Sequence, residues 1–143
     1  MRIKCEKTEF TDYDFLRLLA SSMVLQGQNP VIENHKLEHD LYMFYDKPEY
    51  HHLFEDVCKR EDAIGENSYV DLNEAFQSGY VFGSFLQIHD GYGTQRSLIN
   101  LSMDEAKEIQ TQYTIKQVEA ITHLSHELVG RKEISSNAVL MKK

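Results

Sequence analysis

His35-Lys36-Leu37-Glu38-His39 is the segment of this chain whose residue types and spacing best suit chemistry. On a helix, His35 and His39 stand one turn apart on one face, where two imidazoles can reach one zinc ion while a nearby glutamate serves as base. A hydrolytic site needs a third ligand; Glu55 and Glu61 are available, but no spacing selects either. The same residues also read as the polar face of a helix whose inner stripe is Leu37 and Leu41. That plainer reading is adopted, and no metal, cofactor or catalytic residue is assigned. His51 and His52 leave a helix in different directions, so they do not converge on one ion. His123 and His126 are neighbours at i, i+3 and would need a distant partner such as Cys58. Ser125-His126-Glu127 is contiguous, which a catalytic triad is not. Cys58 beside His51, His52 and Lys59 could be an activated thiol, but reads more simply as a small core residue next to Val57. Gly91 and Gly93 belong to a hairpin turn, and no glycine-rich phosphate loop exists.

These residues need elements to hold them. Thr11 is placed to cap a helix over about Asp12 to Gln26, with Phe15, Leu18, Leu19, Ser22 and Met23 on one stripe. Gly27-Gln28-Asn29-Pro30 stops it. A second helix is expected from Ile32–Asn34 onward, carrying Leu37, Leu41, Phe44 and Tyr45 inward. A third should start at Pro48, a residue suited to a first helical turn, and run through Tyr50, Leu53, Phe54, Val57 and Cys58. The polar run from Lys59 to Ser68 reads as a loop. Asp71 and Glu74 have the form of a capping box for a fourth helix that buries Leu72, Ala75, Phe76, Gly79 and Phe82 and ends at Gly83. Gly79 on that inner face predicts close packing against a neighbour. Phe85 to Ile88 and Ser97 to Leu101 then form a β-hairpin around Asp90-Gly91-Tyr92-Gly93. Ser102/Glu105 and Thr114/Gln117 are two further capping boxes, opening helices with Ala106, Ile109 and Tyr113, and with Val118, Ile121, Leu124 and Leu128, inward. Gly130 is read as the last helix's end, and residues 131–143 as a flexible tail.

Composition narrows the function. At 143 residues the chain is the size of one domain, assigned to residues 1–130 with residues 102–130 as a C-terminal helical extension. Fifteen Lys and Arg against 23 Asp and Glu leave a charge of −8, which disfavours non-specific attraction to phosphates or anionic lipid. No run reaches the ~20 apolar residues of a membrane span, and the N-terminus lacks a signal-peptide pattern. Two cysteines, Cys5 and Cys58, are too few for a disulfide framework. A cytoplasmic protein with both thiols free is expected.

The order of helices, then a capped helix, then a two-stranded wing, then more helix resembles the winged helix-turn-helix superfamily. The likeness covers Asp12 to Leu101 and rests on element order, not on a residue motif. It implies an α+β, mainly helical fold: a winged-helix-like core with one β-hairpin and a C-terminal α-hairpin. Leu72 to Phe82 would correspond to the recognition helix and Gln87 to Ser97 to the wing. Such domains commonly read DNA, which takes cations on phosphates and Arg, Asn or Gln at base edges. From Glu61 to Leu101, however, the chain has six acidic residues and one basic residue, Arg96. That helix offers Asn73, Gln77, Ser78 and Tyr80 but no cation, and Arg96 reads as a solvated turn residue beside Asp90.

The expectation is therefore a small non-enzymatic regulatory or accessory protein that binds another protein, similar to antitoxin-like, phage-encoded or defence-associated partners. Gln77, Tyr80, Tyr92 and Arg96 are the candidate binding residues, with Tyr80 and Tyr92 as aromatic anchors. A winged-helix DNA-binding transcriptional regulator is the alternative. In either case a homodimer through residues 102–130 is the expected self-association.

Overall fold

The computed structural model describes residues 10–61, 68–89 and 95–141. Helix α1 (Asp12–Leu25) starts where the sequence places its cap. Thr11 Oγ1 accepts from the Asp14 N–H at 3.0 Å, and the Asp14 carboxylate accepts from the Thr11 N–H at 3.0 Å. Two donors that a helix start leaves open are thereby satisfied. Phe15, Leu16, Leu18, Leu19 and Ala20 are all buried, so α1 is covered nearly all round and forms the axis of the molecule. Gly27, at φ +69°, turns the chain out of it.

Strand β1 (Val31–Glu33) leads into α2 (Asn34–Tyr42), and a 3-10 helix (Pro48–Leu53) follows. Strands β2 (Cys58–Glu61) and β3 (Ser68–Asp71) pair antiparallel, Cys58 opposite Asp71 and Glu61 opposite Ser68. Helix α3 (Asn73–Phe82) ends at Gly83 (φ +84°) and gives way to β4 (Phe85–Ile88) and β5 (Arg96–Ile99). Helices α4 (Met103–Thr111) and α5 (Ile115–Met141) complete the chain, each opened by the capping box expected of it.

The protein is thus α+β and mainly helical, with two small antiparallel sheets. In the larger one the order is β1-β5-β4, so the hairpin is joined along β5 to a strand from before α2. That third strand fixes the hairpin to the body. Helices α3, α4 and α5 all pack on α1. Ala106 and Ile109 of α4 and Ile121, Leu124 and Leu128 of α5 are buried, so the apolar stripes of residues 102–130 face their own core. Met103 and Ile115 of this region are the exposed apolar residues.

Several local expectations are corrected. Val31–Glu33 form a strand, as β-branched residues favour, so α2 takes the last of its expected starts, Asn34, and it ends at Tyr42, leaving Phe44 and Tyr45 beyond the helix. The third helix is a 3-10 turn that stops at Leu53. Asp56 lies beyond it with Oδ2 accepting the Asp12 N–H at 3.0 Å, which draws the chain towards the start of α1. Most of the expected Lys59–Ser68 loop's ends are strand, and Cys58 is an exposed, free thiol on β2, not a core residue. Asp71 does not cap α3 through a box: it closes β3, its Oδ1 accepts from the Asn73 N–H at 3.0 Å, and the N-cap is Leu72. Helix α5 runs through Gly130 to Met141. A single glycine costs a helix interior only about 1 kcal/mol, and the residues on both sides favour helix.

Candidate functional site

The α3–β4–β5 region has an inner and an outer face. Phe85, Ile99, Ile32 and Ser97 point inward and are buried. The cross-strand register puts Val31, Leu98 and Leu86 in one row of the opposite face and Glu33, Arg96 and Ile88 in the next. This outer face is therefore mostly apolar, and Leu86 is 47% exposed. Just before the turn at Gly83, Val81 and Phe82 of α3 are 80% and 71% exposed. The Phe82 ring rests against Tyr13, with centroids 5.6 Å apart.

Of the predicted binding residues, Gln77 lies exposed on α3. Arg96 is half-buried at the first position of β5, not in a solvated turn. Tyr80 is half-buried and turned inward: its hydroxyl meets Ser97 Oγ at 2.6 Å and accepts from Asn34 Nδ2 at 3.0 Å. Ser97 Oγ donates to Asn34 Oδ1 at 2.8 Å, closing a ring of three hydrogen bonds that locks α2, α3 and β5 together. Tyr92 and the rest of the turn, Asp90 to Gly93, lie outside the described residues. The exposed Val81, Phe82 and Leu86 were missed by the sequence reading, which gave Phe82 an inward place. Helical spacing carried no signal for Phe82: three residues past the buried Gly79, it falls on the inner stripe, and it is exposed because it is the last residue of α3, where the chain turns away at Gly83.

A second locus is a polar groove of about 590 Å³ between α2, the β2–β3 hairpin and the start of α3, bordered by His35, Glu38, Arg60, Tyr69, Asp71 and Phe76. Glu38 is only 7% exposed. Its Oε2 accepts the Leu72 N–H at 2.7 Å, replacing the missing cap of α3, and its Oε1 lies 3.0 Å from His35 Nδ1. Both oxygens thus have a partner within the protein. His39 Nδ1 lies 3.1 Å from the Ser68 carbonyl, and the two Nε2 atoms approach to 3.0 Å. The Tyr69 ring packs beside both imidazoles, 4.8 Å from His35 and 5.7 Å from His39. At the groove's edge Arg60 pairs with Asp71. Burial opposes the ionised form of Asp71, but the Asn73 N–H and the Arg60 guanidinium outweigh it and hold the carboxyl below its usual range.

The remaining histidines do not assemble a site. His123 is exposed with Nε2 3.3 Å from Glu127, a residue that also accepts from the Tyr50 hydroxyl. Ser125 is buried against Ser22 and Gln26 while His126 faces outward, so the contiguous Ser-His-Glu is no triad. Among the described residues, no group of three or more His, Cys, Asp or Glu side chains converges as a metal cage.

His52 has a different consequence. Burial first, then the nearby Lys116 charge, lower its pKa from the ordinary 6.5. The unfolded chain therefore takes up this proton at a higher pH than the folded one, and stability falls as pH drops from about 6.5 towards the lowered value. Urea midpoints at pH 7.5 and 5.5 should converge in His52→Gln relative to the parent; an unchanged gap would remove His52 as a source.

Among the described residues no helix is long and apolar enough to cross a membrane. No family model matches the chain, and no curated protein or solved structure aligns with it.

Proposed function

We propose that this chain is a small, non-enzymatic accessory or regulatory protein that acts by binding another protein through the outer face of the β1-β5-β4 sheet and the adjoining end of α3. The observation that carries this reading is the apolar row of Leu86, Leu98 and Val31 on that outer face, together with the exposed Val81 and Phe82 at the end of the helix that leads into it. Exposed apolar surface of this kind marks interaction sites, because a monomer gains by covering it. A charge of −8 favours a partner with an apolar centre and a basic rim. A reducing, cytoplasmic setting suits the exposed Cys58 thiol.

A helix leading into an anchored hairpin is also the arrangement that favours the winged-helix reading and, with it, a DNA regulator. Charge weighs against that: α3 carries Glu74 and no Lys or Arg, and phosphate contacts supply most of the affinity for nucleic acid. The deciding experiment is affinity capture from the source cell, followed by reconstitution with the purified partner. Leu86→Glu and Phe82→Ala should each weaken the reconstituted complex by tenfold or more without moving the urea midpoint appreciably. Undiminished binding by both variants, or tight salt-sensitive binding to duplex DNA at ordinary ionic strength, would overturn the proposal.

A further inference from the structure

We infer that His35 and His39 form a two-nitrogen site for a late divalent transition-metal ion, with nickel(II) or copper(II) preferred to zinc. The Ser68 carbonyl can only accept, so His39 must donate from Nδ1 at 3.1 Å, which leaves its Nε2 lone pair free. His35 Nδ1 likewise donates to the Glu38 carboxylate at 3.0 Å. Each imidazole is thus oriented by a hydrogen bond from its other nitrogen, one to a carboxylate and one to a carbonyl, the support that metal-ligating histidines characteristically have. The two Nε2 atoms consequently aim at one point from 3.0 Å apart. Two facing lone pairs at that distance repel unless a cation lies between them, either a shared proton or a metal ion.

The distance also suits a chelated ion. With metal–nitrogen bonds of about 2.0–2.1 Å, a 3.0 Å separation subtends about 94° at the ion. That is the cis angle of square-planar or octahedral coordination, the geometry that copper(II) and nickel(II) prefer. A tetrahedral ion would need the nitrogens about 3.3–3.4 Å apart, a difference that a small ring rotation spans, so the preference over zinc rests chiefly on the affinity order of these ions for imidazole nitrogen. The Tyr69 ring and the one-turn spacing on α2 hold the imidazoles in place, and His35 opens outward with its side chain 58% exposed. Remaining coordination positions belong to water or to an incoming ligand. The Glu38 carboxylate balances the added charge, while the neighbouring Arg60 is neutralised by Asp71.

The test is calorimetric titration of tag-free, full-length protein with nickel(II), and in parallel with zinc(II) and magnesium(II). One nickel ion should bind per chain, more tightly than zinc, with no magnesium binding. His35→Ala and His39→Ala should each weaken nickel binding by at least tenfold, and His126→Ala should leave it unchanged. Glu38→Gln keeps an acceptor for the Leu72 N–H but loses the carboxylate, and should weaken binding roughly 10–100-fold. Circular dichroism on each variant separates loss of ligand from loss of fold, and paramagnetic broadening of the His35 and His39 ring resonances by copper(II) locates the ion without any substitution. Absence of saturable one-to-one binding would overturn the site. Full binding by both alanine variants, or broadening at other histidines alone, would equally sink the assignment.

Discussion

Gly79→Ala is expected to destabilise the protein by about 1–3 kcal/mol, the usual range for forcing an extra methyl group into a packed interior. The sign is the informative part. In an open helix interior the same change stabilises by about 1 kcal/mol, because alanine has the better helix propensity. Here a Cβ at position 79 would lie 2.3 Å from Phe85 Cδ2. The Phe85 ring cannot step aside: it is fully buried and packed edge-on against Phe76, with centroids 5.7 Å apart. Urea unfolding measures the effect directly. In the double variant with Phe85→Leu, the cost of Gly79→Ala should shrink, so the double variant loses less than the sum of the two single losses. A stabilised Gly79→Ala would mean that α3 and β4 do not approach so closely.

Phe15→Ala should be still more damaging, by about 3–5 kcal/mol, as for other buried phenylalanines. Phe15 is fully buried on α1, the helix that contacts three others, and its ring lies 4.9 Å from that of Phe54. Tight helix packing on several sides leaves the cavity few ways to collapse. Since a domain of ordinary stability has about 5–15 kcal/mol in total, the variant should unfold at a much lower urea concentration. A loss below about 1 kcal/mol would contradict the central position given to α1.

The parts of this fold that could be read from the chain are those with local physical causes. Thr11/Asp14, Ser102/Glu105 and Thr114/Gln117 state their helix starts within four residues, and Gly83 states an end through its positive φ. The β4–β5 hairpin and the close approach at Gly79 were legible for the same reason. Strand β2 was not: Cys58, Lys59, Arg60 and Glu61 are all exposed, so no alternation betrays it. Its existence depends on the partner strand, where Val70 alone is buried. Asp71 misled because its side chain was claimed by Arg60 and Asn73 before it could serve α3. At the candidate sites, the H-x-x-E-H spacing placed both histidines on one face, but the role of Glu38 depended on Leu72, 34 residues away. Tyr80 looked like an outward anchor because neither Asn34 nor Ser97 is near it in sequence.

The helix starts also differ in kind. Helices α1, α4 and α5 carry their own caps, whereas α2 and α3 borrow theirs: the Asn34 N–H donates to the Gln95 carbonyl at 3.0 Å, and the Leu72 N–H to Glu38. The borrowed starts exist only once distant stretches have met. The first turns of α1, α4 and α5 are thus satisfied within four residues of chain, while those of α2 and α3 draw on residues from other elements. Native-state opening that separates Glu38 from Leu72 therefore removes one of the two side-chain acceptors at the start of α3, leaving Asp71 on the Asn73 N–H, and loosens the first turn of the helix beneath the hairpin.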